Sequence, residues 1–131
     1  MKRIILVCCL LAFTCTATFV QKSYAQSTST TVSSADFTTK VNLMDSQIGS
    51  GDLTTARDTW NLIHQMMLSV LAKTKVSINS STLGSTTRTS YIALIDNQRM
   101  IYAAIWQMKP DLATNRSAIH AKLLEFAATI Y

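Results

Sequence analysis

ADFTTKVNLMDSQIGSGDLTTARDTWNLIH, residues 35–64, decides how this chain folds. Phe37, Val41, Met44 and Ile48 recur at steps of four, three and four, which puts them on one face of an amphipathic helix. Ser34 reads as its N-cap, Asp36 falls in its first turn, and Gly49 stands where a helix-ending glycine belongs. Ser50-Gly51-Asp52 is too short to do more than reverse the chain. A second stripe then runs through Leu53, Ala56, Trp60, Ile63, Met67 and Val70, so a second helix is expected from about Leu53 to Lys73. Asp52 caps it, and Lys73 and Lys75 lie beside its negative C-terminal end. Two helices joined this tightly form an antiparallel hairpin.

Further along, the period breaks between Lys75 and Ser85, where Val76 and Ile78 alternate with polar residues before a serine-rich connection. This is the longest loop expected. It resumes in a third helix from about Thr87 to Met108, with Tyr91, Leu94, Ile95, Ile101, Tyr102 and Ile105 facing inward. Pro110 ends that helix or opens the next, because proline suits a first turn and not an interior. A fourth stripe, Leu112, Ile119, Leu123, Phe126 and Ile130, predicts a helix over about Asp111–Thr129. The fold class is therefore all-α: a small four-helix bundle, up-down-up-down, built of helical hairpins over residues 35–131. The first helix is shorter than the rest, which leaves one end of the bundle open. At the centre of the third helix's inner face stands one polar residue, Gln98. A buried amide must find partners, and the hydroxyls of Tyr91 and Tyr102 or the side chain of Arg116 are the candidates.

Residues 1–25 have the order of a secretory signal peptide. Met1-Lys2-Arg3 is a positive n-region, Ile4 to Val20 is uncharged and mostly apolar, and Ser23-Tyr24-Ala25 precedes a cut before Gln26. Cys8, Cys9 and Cys15 all lie in this leader, and none has the flanking residues that lipidation needs. The exported chain, periplasmic or secreted, is expected to carry no cysteine and no membrane insertion once the leader is removed. Its first residues, 26–34, are a Ser/Thr-rich stretch read as a flexible lead-in. The whole chain of 131 residues has a formal charge of +5, but Lys2, Arg3 and Lys22 leave with the leader and reduce it to +2. The remaining basic residues are scattered, which argues against nucleic acid as a partner.

Gly51-Asp52-Leu53, Ala56, Trp60 and Ile63 resemble the second half of a tetratricopeptide repeat. Met44 stands where that family has a small residue, and Ser85-Thr86-Thr87 falls where a second copy would be. The stretch reads more economically as a generic helical hairpin.

No catalytic constellation emerges from the residues, and the chain is read as a non-enzyme without a cofactor. With three glycines there is no phosphate loop, and the acidic residues are dispersed. His64 and His120 each sit at the edge of an apolar stripe, where a structural role is the simpler reading. Neither has the converging partners of a metal site. They are also the candidates for an alternative function, a carrier of haem or another small ligand between helices two and four. Met44, Met66, Met67, Met100 and Met108 could supply an axial ligand, yet no Cys-x-x-Cys-His is present and methionine at helical spacing usually fills cores. Leu62, Met66, Met100 and Ala104 fall outside the main stripes, and Trp106 stands at the edge of the third helix. Grouped, such residues mark an interface. The leading expectation is thus an exported, non-enzymatic module that contacts another protein or itself, or serves at the envelope. Intact mass of the exported protein should match a chain beginning at Gln26. A mass that retains Met1, or a lipid on Cys15, would overturn the leader reading.

Overall fold

The computed structural model describes residues 31–80 and 82–131. The proposed leader, its cleavage site and most of the lead-in lie outside them. Four α-helices form: α1 (Ser34–Gly49), α2 (Leu53–Ile78), α3 (Ser85–Met108) and α4 (Arg116–Ala127), with a 3₁₀ turn, η1 (Lys109–Asp111), between the last two. Among the described residues there is no strand, and no helix is long and apolar enough to cross a membrane. α2 packs on α1 and α3, and α4 packs on α1 and α3, so the four make an all-α bundle with α2 and α4 on a diagonal.

The expected stripes supply the core, except for Tyr91 and Leu94 of the third, which are half-buried and lie outside it. Phe37, Val41 and Met44 from α1 meet Ile63 and Met67 from α2, Ile105 from α3 and Ile119, Leu123 and Phe126 from α4, all with essentially no exposure. Each large apolar side chain removed from water in this way contributes roughly 1.5–3 kcal/mol. The rings of Phe37 and Phe126 lie 5.5 Å apart and bring the start of α1 to the end of α4.

The helix ends depart from the expectation in instructive ways. Ser33, not Ser34, caps α1: its hydroxyl accepts from the Asp36 amide at 3.0 Å and donates to the Asp36 carboxylate at 2.6 Å. Ser34 is freed to donate to the Ala127 carbonyl at 2.9 Å, and Val32 packs on the core, so these two residues of the stretch are held against the bundle. The helix-ending glycine is Gly51, at φ +83°. Its amide bonds to Ile48 and the next amide, of Asp52, bonds to Gln47, the paired bonds that close a helix over a left-handed residue. Gly49 has a different use. A Cβ there would stand 2.6 Å from the Arg116 guanidinium, which pairs through two 2.7 Å bonds with Asp45 across the α1–α4 seam. That bidentate hydrogen bonding holds the Asp45 carboxyl below its usual range.

α2 runs past the expected end at Lys73 as far as Ile78. Its stripe continues through Thr74, and Val76 simply points into solvent, which is why the residues from Lys75 onward alternate like a strand. α4 is shorter than expected. The Asp111 carboxylate accepts from the Thr114 backbone amide and the Asn115 side-chain Nδ2 donates to the Met108 carbonyl, so residues 112–115 are a turn and Leu112 is buried from outside the helix.

The result is a mismatch of lengths: 26 and 24 residues in α2 and α3 against 16 and 12 in α1 and α4. At 1.5 Å per residue, the α2–α3 hairpin outreaches its partners by roughly 10–20 Å. The segment after α4 covers the exposed inner face. Gln98, fully buried, donates to the Thr129 carbonyl at 3.2 Å and accepts from the Thr74 hydroxyl at 2.9 Å. Tyr131 hydrogen-bonds Ser77 at 2.9 Å, packs on Tyr91 with ring centres 5.3 Å apart, and takes Lys73 over its ring and on its carbonyl. Gln98 is thus satisfied from α2 and the final segment. The partners expected for it are engaged elsewhere: Tyr102 on His64, Tyr91 on Tyr131, and Arg116 on Asp45. Gln98→Leu should leave the Thr129 carbonyl without its donor and lower the stability measured in denaturant by about 1–3 kcal/mol, with oligomeric state unchanged. Equal or greater stability would show that the amide anchors nothing.

Candidate functional site

Two pairs of aromatic residues at helical i, i+4 spacing face each other across the α2–α3 seam. Trp60 and His64 come from α2, Tyr102 and Trp106 from α3. The imidazole Nε2 of His64 and the Tyr102 hydroxyl are 2.8 Å apart. Around the imidazole the ring centres lie at 5.1 Å from Trp106, 5.8 Å from Tyr102 and 6.4 Å from Trp60, the last almost coplanar in orientation. Tyr102 and Trp106 stack at 5.9 Å. Where α3 gives way to η1, Lys109 places its Nζ 3.5 Å over the Trp106 ring, a cation–π contact. Trp60 is buried, His64 and Tyr102 are half-buried, and Trp106 remains 41 % exposed. Beside this cluster lies an open depression of about 320 Å³, lined by Arg57, Trp60, Asn61, Lys109, Pro110 and Leu112.

Burial pushes the His64 pKa down, and the positive charge of Lys109 adds to the effect. The ring is therefore held neutral at pH 7, and its proton sits on one nitrogen according to which way the Tyr102 hydrogen bond runs. A neutral imidazole among three rings is an apolar packing element with one polar tie, not a poised cation.

His120 lies on the other side of the bundle. Its Nε2 faces the Asn42 amide oxygen at 3.1 Å across the α1–α4 seam. The two histidines thus occupy different seams, and the arrangement does not assemble a pocket between α2 and α4 that uses both. Met44 and Met67 are core residues, Met66 and Met108 pack against the core, and Met100 is 67 % exposed. Among the described residues no three of His, Cys, Asp and Glu come together in a way that could hold a metal ion. Gln98 belongs to the buried network under the final segment and not to the aromatic corner.

The outward apolar residues separate in the same manner. Leu62 and Met100 each precede a corner residue, His64 and Tyr102, by two positions, about 200° around their helices. They point away from the corner that contains Trp106, so they do not merge with it into one patch. Missing from the sequence reading were Arg57, Asn61 and Lys109. Their signal was present as positions: Arg57 and Asn61 flank Trp60 by three and one, and Lys109 follows Trp106 by three. Compared with protein-family models, with curated proteins and with solved structures, the chain matches none.

Both tryptophans of the chain are in this corner, so their emission reports on His64 directly. A folded pKa below the ordinary 6.5 means that the unfolded chain binds the proton more readily, so the contribution of this residue to stability is lost as pH falls below that value. Tryptophan emission of the native protein should titrate with a midpoint below 6.5, and His64→Gln should abolish that step. A midpoint at or above 6.5 would contradict the burial of the imidazole.

Proposed function

We propose that this chain is a non-enzymatic, exported binding module that acts by contact with another protein, and that the aromatic corner of α2 and α3 is its contact site. The observation that carries the reading is Trp106, 41 % exposed yet seated on His64 and Tyr102 and gripped by Lys109. Residues that dominate binding energy at protein interfaces are chiefly Trp, Tyr and Arg, anchored in packed surroundings and able to lose their remaining water to a partner. Trp60, Tyr102, Trp106 and Arg57 supply those types within one corner. Such preorganised rings lose little conformational freedom when a partner covers them. Export rests on the tripartite order of residues 1–25, and it places the partner at the envelope or outside the cell.

The immobilised domain should retain a specific protein from the envelope or secreted fraction of its host, and Trp106→Ala should lose it. Because Trp106 is half exposed, the variant should keep the helical circular dichroism spectrum of the parent. Retention of the same protein in equal yield by Trp106→Ala would move the contact off this corner.

A further inference from the structure

Two cations line the depression beside the aromatic corner, Arg57 from α2 and Lys109 from η1, and no acidic residue lines it with them. Among the described residues neither forms an ion pair: the three present join Arg99 to Asp96, Arg116 to Asp45 and Lys122 to Glu125. Asp111, next to Pro110 in the chain, already accepts from the Thr114 amide. Like charges brought to one concavity repel, and the arrangement is relieved by an anion between them. The apolar part of the lining comes from Trp60, Pro110 and Leu112, and Asn61 adds an amide. At about 320 Å³ the space is at the lower end of ligand sites, enough for one side chain and part of its neighbour.

We infer that this depression receives the carboxylate of an acidic side chain on the protein partner, with an apolar neighbour of that side chain lying against Trp60 and Pro110. The guanidinium of Arg57 has the planar fork that pairs with a carboxylate through two bonds. Lys109 contributes a point charge without leaving the Trp106 ring. The inference rests on the corner being the contact site, and it adds the chemistry of what the corner accepts.

The test uses tryptophan emission, since both indoles report on the corner. The domain is titrated with acetyl-Phe-Glu-Phe-amide, with its glutamine counterpart, and with benzoate as a free acid. The glutamate peptide should saturate, and the glutamine peptide should bind roughly tenfold more weakly, the scale of a lost charge-assisted hydrogen bond. Arg57→Gln, an exposed substitution, should reduce the glutamate peptide to the level of the glutamine one, and added salt should act in the same direction. Equal affinity of the two peptides, no saturation by either, or an unchanged titration in Arg57→Gln would overturn the inference. Benzoate binding as tightly as the glutamate peptide would also overturn it, by making a free acid the natural occupant. Failure of the contact reading is separable: Trp106→Ala would then still capture the partner while the peptide titration succeeds.

Discussion

Unequal helix lengths are the constraint on which the rest of this structure depends. A hairpin of 26 and 24 residues standing on partners of 16 and 12 exposes an inner face that a helical bundle cannot cover with helix alone. The chain answers with polar chemistry where an apolar stripe would otherwise continue. Thr74, Ser77 and Gln98 take the inward positions of the overhang: Gln98 and Ser77 hydrogen-bond Thr129 and Tyr131 in place of packing against a helix, and Thr74 donates to the Gln98 side-chain oxygen. An irregular segment brings unpaired carbonyls with it, and such groups are costly when buried unless a donor meets them. Gln98 provides that donor at the deepest point. The single amide in the core thus exists because the fourth helix stops short.

The same constraint explains what could be read from the sequence. Wherever apolar residues recur at helical spacing over several turns, as from Phe37 to Ile48 or from Ala56 to Val70, both the helix and its buried face were legible. The end of α2 was not, because its inward residues turn polar at Thr74 and the branched apolar Val76 faces water. Helix four began late for a related reason. Leu112 keeps the apolar rhythm without being helical, and the hydrogen bonds of Asp111 and Asn115 that make the turn are invisible to a count of spacing. Gln98 was legible as buried from its place on the wheel, whereas its partners were not. They come from α2 and from a carbonyl, and a backbone acceptor carries no residue identity that a sequence could betray.

The candidate site was half legible. Its aromatic members are spaced i, i+4 on two helices, and Trp106 stood at the edge of its stripe. What no spacing announces is which seam each residue enters. Apolar stripes on four helices are interchangeable to first order, and neighbours are chosen by the polar and aromatic residues at the stripe edges. Here the two opposite seams are furnished differently. The α1–α4 seam holds Asp45 with Arg116 and Asn42 with His120, while the α2–α3 seam holds the stacked rings.

That division bears on the place given to the proposed contact. The bidentate Asp45–Arg116 pair spends its donors and acceptors on itself, and the glycine at position 49 is needed for the guanidinium to lie that close to α1. Little is left there for a second molecule to bind. The aromatic seam is different in kind, because stacking uses ring faces and leaves edges and one indole open to solvent. Its charged neighbours, Arg57 and Lys109, are likewise not joined to acids among the described residues. A bundle closed on one side by a self-satisfied ion pair, and left on the other with rings and cations not joined to acids among the described residues, is the ground for placing the proposed contact on the second side. The rings and Arg57 are fixed on α2 and α3, and Lys109 is fixed by the 3₁₀ turn that ends α3 and by its seat over Trp106.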